Sequence, residues 1–159
     1  MTTESITLGG GAGTTGTATP GSSFVMSVER RERQATFIRE KLAKSKAFDK
    51  YGLTLIDSND VIIRSTMGEL RNTVLAFFKG GLFKHKRCEH CGTTQSRQFE
   101  RAHDKETARS AVALAALQRI RPDETKPVSQ RDFMRAFVEE HCNVPLWYLC
   151  EECHRKYDA

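Results

Sequence analysis

The sequence predicts a small α+β domain, mostly helical, braced through its carboxy-terminal half and preceded by a disordered tail. Three observations predict it. Apolar residues recur at helical spacing in several stretches, with only short β-rich runs between them. Cysteines stand in two C-x-x-C pairs late in the chain. Residues 1–23 contain 6 Gly, 7 Thr and 3 Ser, with Ile6 and Leu8 as the large apolar side chains. Such a segment cannot bury enough surface to offset its ordering entropy, so it is expected to stay disordered.

The 159 residues suit one compact domain, at roughly 100 to 200 residues per domain. Apolar types make up 38%, below the usual range of about 45 to 50%, which also counts Gly. The core must be modest, and something besides apolar burial should hold it. Lys and Arg number 25 against 20 Asp and Glu, a net charge of +5 and a pI near 9.1, which suits an anionic partner. No apolar run approaches the roughly 20 residues of a membrane span, and the amino terminus lacks a basic start and apolar h-region. The expectation is an intracellular protein, cytoplasmic or nuclear, with no membrane partner.

Ser27 is placed to cap a helix running to about Phe48, with Val28, Ala35, Ile38 and Leu42 on one side and a charged, solvated face opposite. Leu53 to Ile56 and Val61 to Ile63 are β-rich runs around Asp57, Ser58, Asn59 and Asp60, which predicts a hairpin. Thr66 and Glu69 then spell a capping box for a helix carrying Met67, Leu70, Val74, Phe77 and Phe78, stopped by Gly80 and Gly81. Residues 106–120 predict an Ala-rich helix with Val112, Ala116, Leu117 and Ile120. Another starts at Ser129, caps through Asp132, and presents Phe133, Phe137 and Val138; Pro122 and Pro127 bracket the connection. The organisation expected is a tail at 1–23, a helical and hairpin part at 24–82, and a cysteine-braced part at 83–159 with a helical insertion at 105–141.

The cysteine pairs are Cys88-Glu-His-Cys91 and Cys150-Glu-Glu-Cys153. Two thiolates three positions apart on a tight turn can both reach one ion at about 2.3 Å, and two such pairs complete a tetrahedron, as in structural zinc sites. Gly92 supplies the turn residue after the first pair. The 58 residues between the pairs far exceed the roughly 15 to 20 of an ordinary ribbon, so this zinc would staple distant parts of the chain. A redox C-x-x-C lacks its βαβ context, and haem attachment at Cys150 to His154 would require export. Cys142 reads as a buried spare thiol, Trp147 and Tyr148 as core, His85 and His90 as solvated.

Two histidines sit where a second site could form. His103 ends a strand-like run twelve positions after Cys91, and His154 directly follows Cys153 on the helix that the second pair would begin. The zinc is therefore expected to pin the two rings against each other, a base and a metal ligand around one phosphate. The surrounding stretch is basic, with Lys79, Lys84, Lys86, Arg87, Arg97 and Arg101 against Glu89 and Glu100.

In the order Cys88-x-x-Cys91-Gly92, Glu100-x-Ala102-His103 and Leu149-Cys150-x-x-Cys153-His154-x-x-Tyr157-Asp158, residues 83–159 resemble the HNH (ββα-metal, His-Me finger) endonuclease family in its zinc-knuckle form. The resemblance implies a zinc-stapled ββα element and Mg²⁺- or Mn²⁺-dependent hydrolysis of DNA phosphodiester bonds. His103 would be the general base and His154 a ligand of the catalytic ion. Many family members carry Asp or His just before the base, as a metal ligand; here Ala102 stands there, with Glu100 or Asp104 as the replacement ligand. Pro145 takes the place of the family's middle Asn, and Asn143 is the nearest substitute, with His141 close by. Lys84, Lys86, Arg87, Arg97 and Arg101 would meet the DNA, and a double-strand cut would call for a homodimer. The alternative reading is a non-catalytic, zinc-stabilised nucleic-acid-binding module; a zinc-built interaction protein is a third.

Overall fold

Five helices and two short antiparallel sheets make up the described part of the chain, a mostly helical α+β arrangement. The structure is a computed structural model that describes residues 25–79, 86–103 and 108–158. The tail at 1–23 and the expected site residues Lys84, His85 and Asp104 lie outside the described residues, as do Gly80 and Gly81.

Helix α1 spans Val28–Lys44, with Ser27 Oγ accepting the Arg30 N–H at 3.1 Å. Glu29 in its first turn and Lys41 and Lys44 in its last complement the helix dipole. It stops short of the Phe48 that the sequence suggested, yet Phe48 is buried in the turn that follows.

The expected hairpin is not formed. Thr54–Leu55 is a two-residue strand, β1, and its partner is β3 at Val128–Ser129, with Thr54 opposite Ser129 and Leu55 opposite Val128. Ser58 is a helix N-cap whose Oγ accepts the Val61 N–H, so Val61, Ile62 and Ile63 lie in the first turns of α2, Asn59–Phe77. Ile62, Thr66, Leu70, Thr73, Val74 and Phe77 are its buried stripe, a 3.6-residue period that overrides the β preference of the branched residues. Thr66 caps nothing: it lies mid-helix, its hydroxyl donating to the Ile62 carbonyl at 2.7 Å.

Helices α3 (Arg109–Ile120) and α4 (Gln130–Glu140, capped by Ser129 at the Asp132 N–H) pack on α1 and α2. Val112, Leu117, Phe133 and Phe137, each at most 1% exposed, join Ile38, Leu70 and Phe78 in the principal core. The segment expected as an insertion thus supplies much of that core.

Strand β2, Phe99–His103, pairs antiparallel with β4, Leu146–Cys150, and α5, Glu151–Asp158, follows β4 directly. Paired residues share a face of this ribbon. Leu146 opposite His103 and Tyr148 opposite Arg101 face the principal core. Trp147 opposite Ala102 and Leu149 opposite Glu100 face a second, smaller cluster with Cys88, Cys150, Cys153 and Tyr157. Among the described residues, no helix is long and apolar enough to cross a membrane.

Candidate metal centre and the histidines around it

The four cysteines arrive from two turns. In the first, Gly92 takes φ +77° and its N–H donates to the Cys88 carbonyl at 2.9 Å, while the Cys88 N–H closes the turn on the Thr93 carbonyl; only a residue without a Cβ enters this region freely. In the second, Cys150 ends β4 and Cys153 lies in the first turn of α5. Cys150 Sγ accepts the Cys153 N–H at 3.4 Å, where a capping oxygen would ordinarily accept. Glu89 joins the turns: its N–H donates to the Tyr148 carbonyl at 2.8 Å and its carboxylate accepts the Tyr148 N–H at 2.7 Å.

The sulfurs of Cys88, Cys91, Cys150 and Cys153 all lie within 4.8 Å of one another. Cys91 Sγ and Cys150 Sγ are 3.8 Å apart. A disulfide would need about 2.05 Å, whereas ligands at about 2.3 Å from a tetrahedral zinc are about 3.8 Å apart. Donor set and spacing therefore fit a structural ion such as zinc. Cys88, Cys150 and Cys153 are buried and Cys91 is exposed, so the ion would sit under the surface with one ligand toward solvent. Burial works to raise the Cys88 thiol, and the N–H groups of Cys91, Cys150 and His90 outweigh it, holding it at about 7. Burial pushes Cys91 and Cys153 up, helped at Cys153 by the neighbouring sulfurs. Four thiols this close cannot all ionise without a cation among them.

His154, on α5, places Nδ1 2.6 Å from Glu100 Oε1, and Gln98 Nε2 donates to the other carboxylate oxygen at 2.9 Å. The structure brings Glu100 and His154 into direct hydrogen-bond contact. A carboxylate on the second ring nitrogen is the arrangement that orients a metal-binding imidazole. Ala102, 2% exposed, adds no donor.

His103 does not face His154. Strand alternation puts Glu100 and Ala102 on the α5 side of the ribbon and Arg101 and His103 on the side of the principal core. There His103 Nε2 meets Nε2 of His141 at 2.9 Å. His141, fully buried just past α4, meets the Phe137 carbonyl through Nδ1 at 2.8 Å. Burial first, then the charges of His141 and Arg109, push His103 down to about 3. Asn143, expected beside His103, is exposed in the turn after α4, its backbone N–H donating to the Glu140 carbonyl.

The basic residues divide. Lys86 and Arg87 are exposed. Arg97 is ion-paired with Glu151 at 2.9 Å. Arg101 donates to the Phe78 carbonyl at 3.2 Å and lies over the Tyr148 ring. Sequence reasoning missed His141 as a partner of His103, along with Arg30 and Gln34, which α1 sends to the turn before β4. The polar side chains at the third and seventh positions of α1, on its inner face, were the signal that could have found them.

Comparison with family models, with curated proteins and with solved structures finds no match to this chain.

Proposed function

We propose that this chain is a metal-dependent endonuclease of the kind its motifs resemble, hydrolysing DNA phosphodiester bonds at the His103 end of the β2–β4 ribbon. One observation carries the reading: His103 ends β2 on one face of the ribbon while the Glu100–His154 pair stands on the other, beside the four-sulfur group. In the pattern this chain resembles, a metal ligand immediately precedes the base, so ligand and base alternate across the strand. His103 and the α5-side pair keep that alternation, and a phosphate at the ribbon's end is bordered by both faces. Mg²⁺ or Mn²⁺ held by His154, with Glu100 or Asp104, would polarise the phosphate and stabilise the departing 3′ oxygen. His103 is neutral at physiological pH because burial holds it at about 3, so one ring nitrogen keeps a lone pair that can take a water proton. Exposed Lys86 and Arg87 suit the phosphate backbone.

A second reading, the non-catalytic zinc-stabilised nucleic-acid-binding module, is favoured by two specific facts. Ala102 is buried without a donor, and a base at about 3 accepts protons weakly. Zinc-loaded protein incubated with supercoiled plasmid and Mg²⁺ or Mn²⁺ decides between them. The expected result is nicking or linearisation that falls by about 100-fold or more in His103→Ala and comparably in His154→Ala, with zinc content and helical circular dichroism retained. Wild-type protein that shifts DNA in a gel and never cuts it selects the binding module.

A further inference from the structure

His141 lies close to the position of the pattern's middle Asn, and among the described residues its side chain touches the proposed base. Its Nδ1 lies 2.8 Å from the Phe137 carbonyl. A carbonyl oxygen only accepts, so this nitrogen carries a proton, and in a neutral ring the lone pair then sits on Nε2. That nitrogen is 2.9 Å from Nε2 of His103. Two ring nitrogens at this distance need one proton between them, and His141 has none to give there, so it is on His103 Nε2. The lone pair of His103 is thereby confined to Nδ1. Both rings are held neutral chiefly by burial, with the positive charge of Arg109 acting in the same direction. His141 itself cannot swing away: it is fully buried, with the rings of Phe137 and Phe78 edge-on at 5.0 and 5.9 Å.

We propose that His141 is the positioning residue of the site: anchored by the Phe137 carbonyl, it accepts the Nε2 proton of His103 and so fixes the tautomer and ring angle that present Nδ1 as the basic atom. The inference rests on His103 being the base of the nuclease reading. It also accounts for the exposure of Asn143, because the orienting hydrogen bond comes from α4's end.

Long-range ¹⁵N–¹H correlation spectra of the zinc-loaded, full-length protein read the tautomers directly. The expected pattern is His103 protonated at Nε2 and His141 at Nδ1. The reverse pattern overturns the inference whether or not the protein cuts DNA. Wild-type protein with the expected tautomers and no cleavage overturns the nuclease reading alone. In cleavage assays His141→Leu should lower kcat about 100-fold with KM for DNA unchanged, while His141→Gln, which restores an acceptor toward His103, recovers most of that activity. Equal activity of wild type and His141→Leu, or equal impairment of the Leu and Gln variants, refutes the positioning role.

Discussion

The guanidinium of Arg30, on α1, grips the Glu89 carboxylate within the first cysteine turn and the Leu146 carbonyl of β4. Glu89 in turn holds both backbone polar groups of Tyr148, its N–H and its carbonyl. Gln34, one turn along α1, donates to the His141 and Val144 carbonyls at 2.7 Å and accepts the Leu146 N–H. One face of α1 is therefore the polar frame for the turn that delivers β4 and the second cysteine pair.

Removing one partner from this frame should be expensive, because Arg30 and Glu89 have side chains only 7% and 24% exposed. Breaking a buried pair from one side costs about 3 to 5 kcal/mol. Arg30→Ala should approach the lower end in urea unfolding of the zinc-loaded protein. Arg30→Lys, which keeps the charge and gives up the two-pronged grip, should fall between. A loss under about 1 kcal/mol in Arg30→Ala would mean that apolar packing alone seats α1.

Metal removal should act locally. The cluster of Cys88, Ala102, Trp147, Leu149, Cys150, Cys153 and Tyr157 is small and built around sulfur, whereas the principal core holds the large aliphatic and aromatic residues of α1 to α4. Cys153→Ser, or a strong chelator, should abolish hydrogen-exchange protection in the first cysteine turn and α5 while amides of α2 and α4 stay protected. Elemental analysis should find one zinc per wild-type chain and none in the variant. Full zinc retention by Cys153→Ser would remove that sulfur from the ligand set.

The cysteine centre is legible in the sequence because metal-ligand spacing is a local property: each C-x-x-C turn declares itself within four residues, and only their meeting needs the fold. Helix faces at Ile38, Leu70 and Phe137 are legible for the same reason. Long-range pairing is not. Nothing local in Leu53 to Ile56 points to Val128 as a partner, so pattern alone favours the nearest β-rich run, and Ser58 reads as turn chemistry when it serves as a cap. His141 escapes because its partner lies 38 positions away. His103 and His154 come near the same ribbon without facing each other, since strand parity puts them on opposite sides, and sequence proximity to the cysteine pairs carries no information about parity.

Acid should destabilise the fold through His141. Its folded-state pKa is lowered from 6.5 to about 4, chiefly by burial. Above pH 6.5 the ring is neutral in both states and contributes nothing. Between about 6.5 and 4 the unfolded chain takes up a proton that the folded one refuses, so stability falls with pH, by up to about 1.4 kcal/mol per unit. His141→Gln removes that slope, and comparing it with wild type in the same buffers cancels the separate effect of thiol protonation. Urea midpoints at pH 7, 6 and 5 should converge as pH falls. A gap between the two proteins that stays constant over this range would show that His141 takes up its proton in the folded state.

On the DNA-binding reading proposed above, salt dependence should sort the basic residues into those that would meet DNA and those that hold the fold. Lys86 and Arg87 are exposed beside the first cysteine turn, with their charges open to a phosphate. Arg97 is already neutralised by Glu151, and Arg101 is spent on the Phe78 carbonyl and the Tyr148 ring. Taking away one phosphate-binding charge flattens the slope of log K against log salt by about 0.9 on duplex DNA. Lys86→Ala and Arg87→Ala should each do so by that amount, without changing the melting temperature. Arg97→Ala should flatten it less, because DNA must first displace Glu151 to use that charge. Arg101→Ala should leave the slope almost unchanged and lower the melting temperature, since the substitution strips a carbonyl at the end of α2 of its donor. Slopes in Lys86→Ala and Arg87→Ala that match wild type would place the DNA on another face of the molecule.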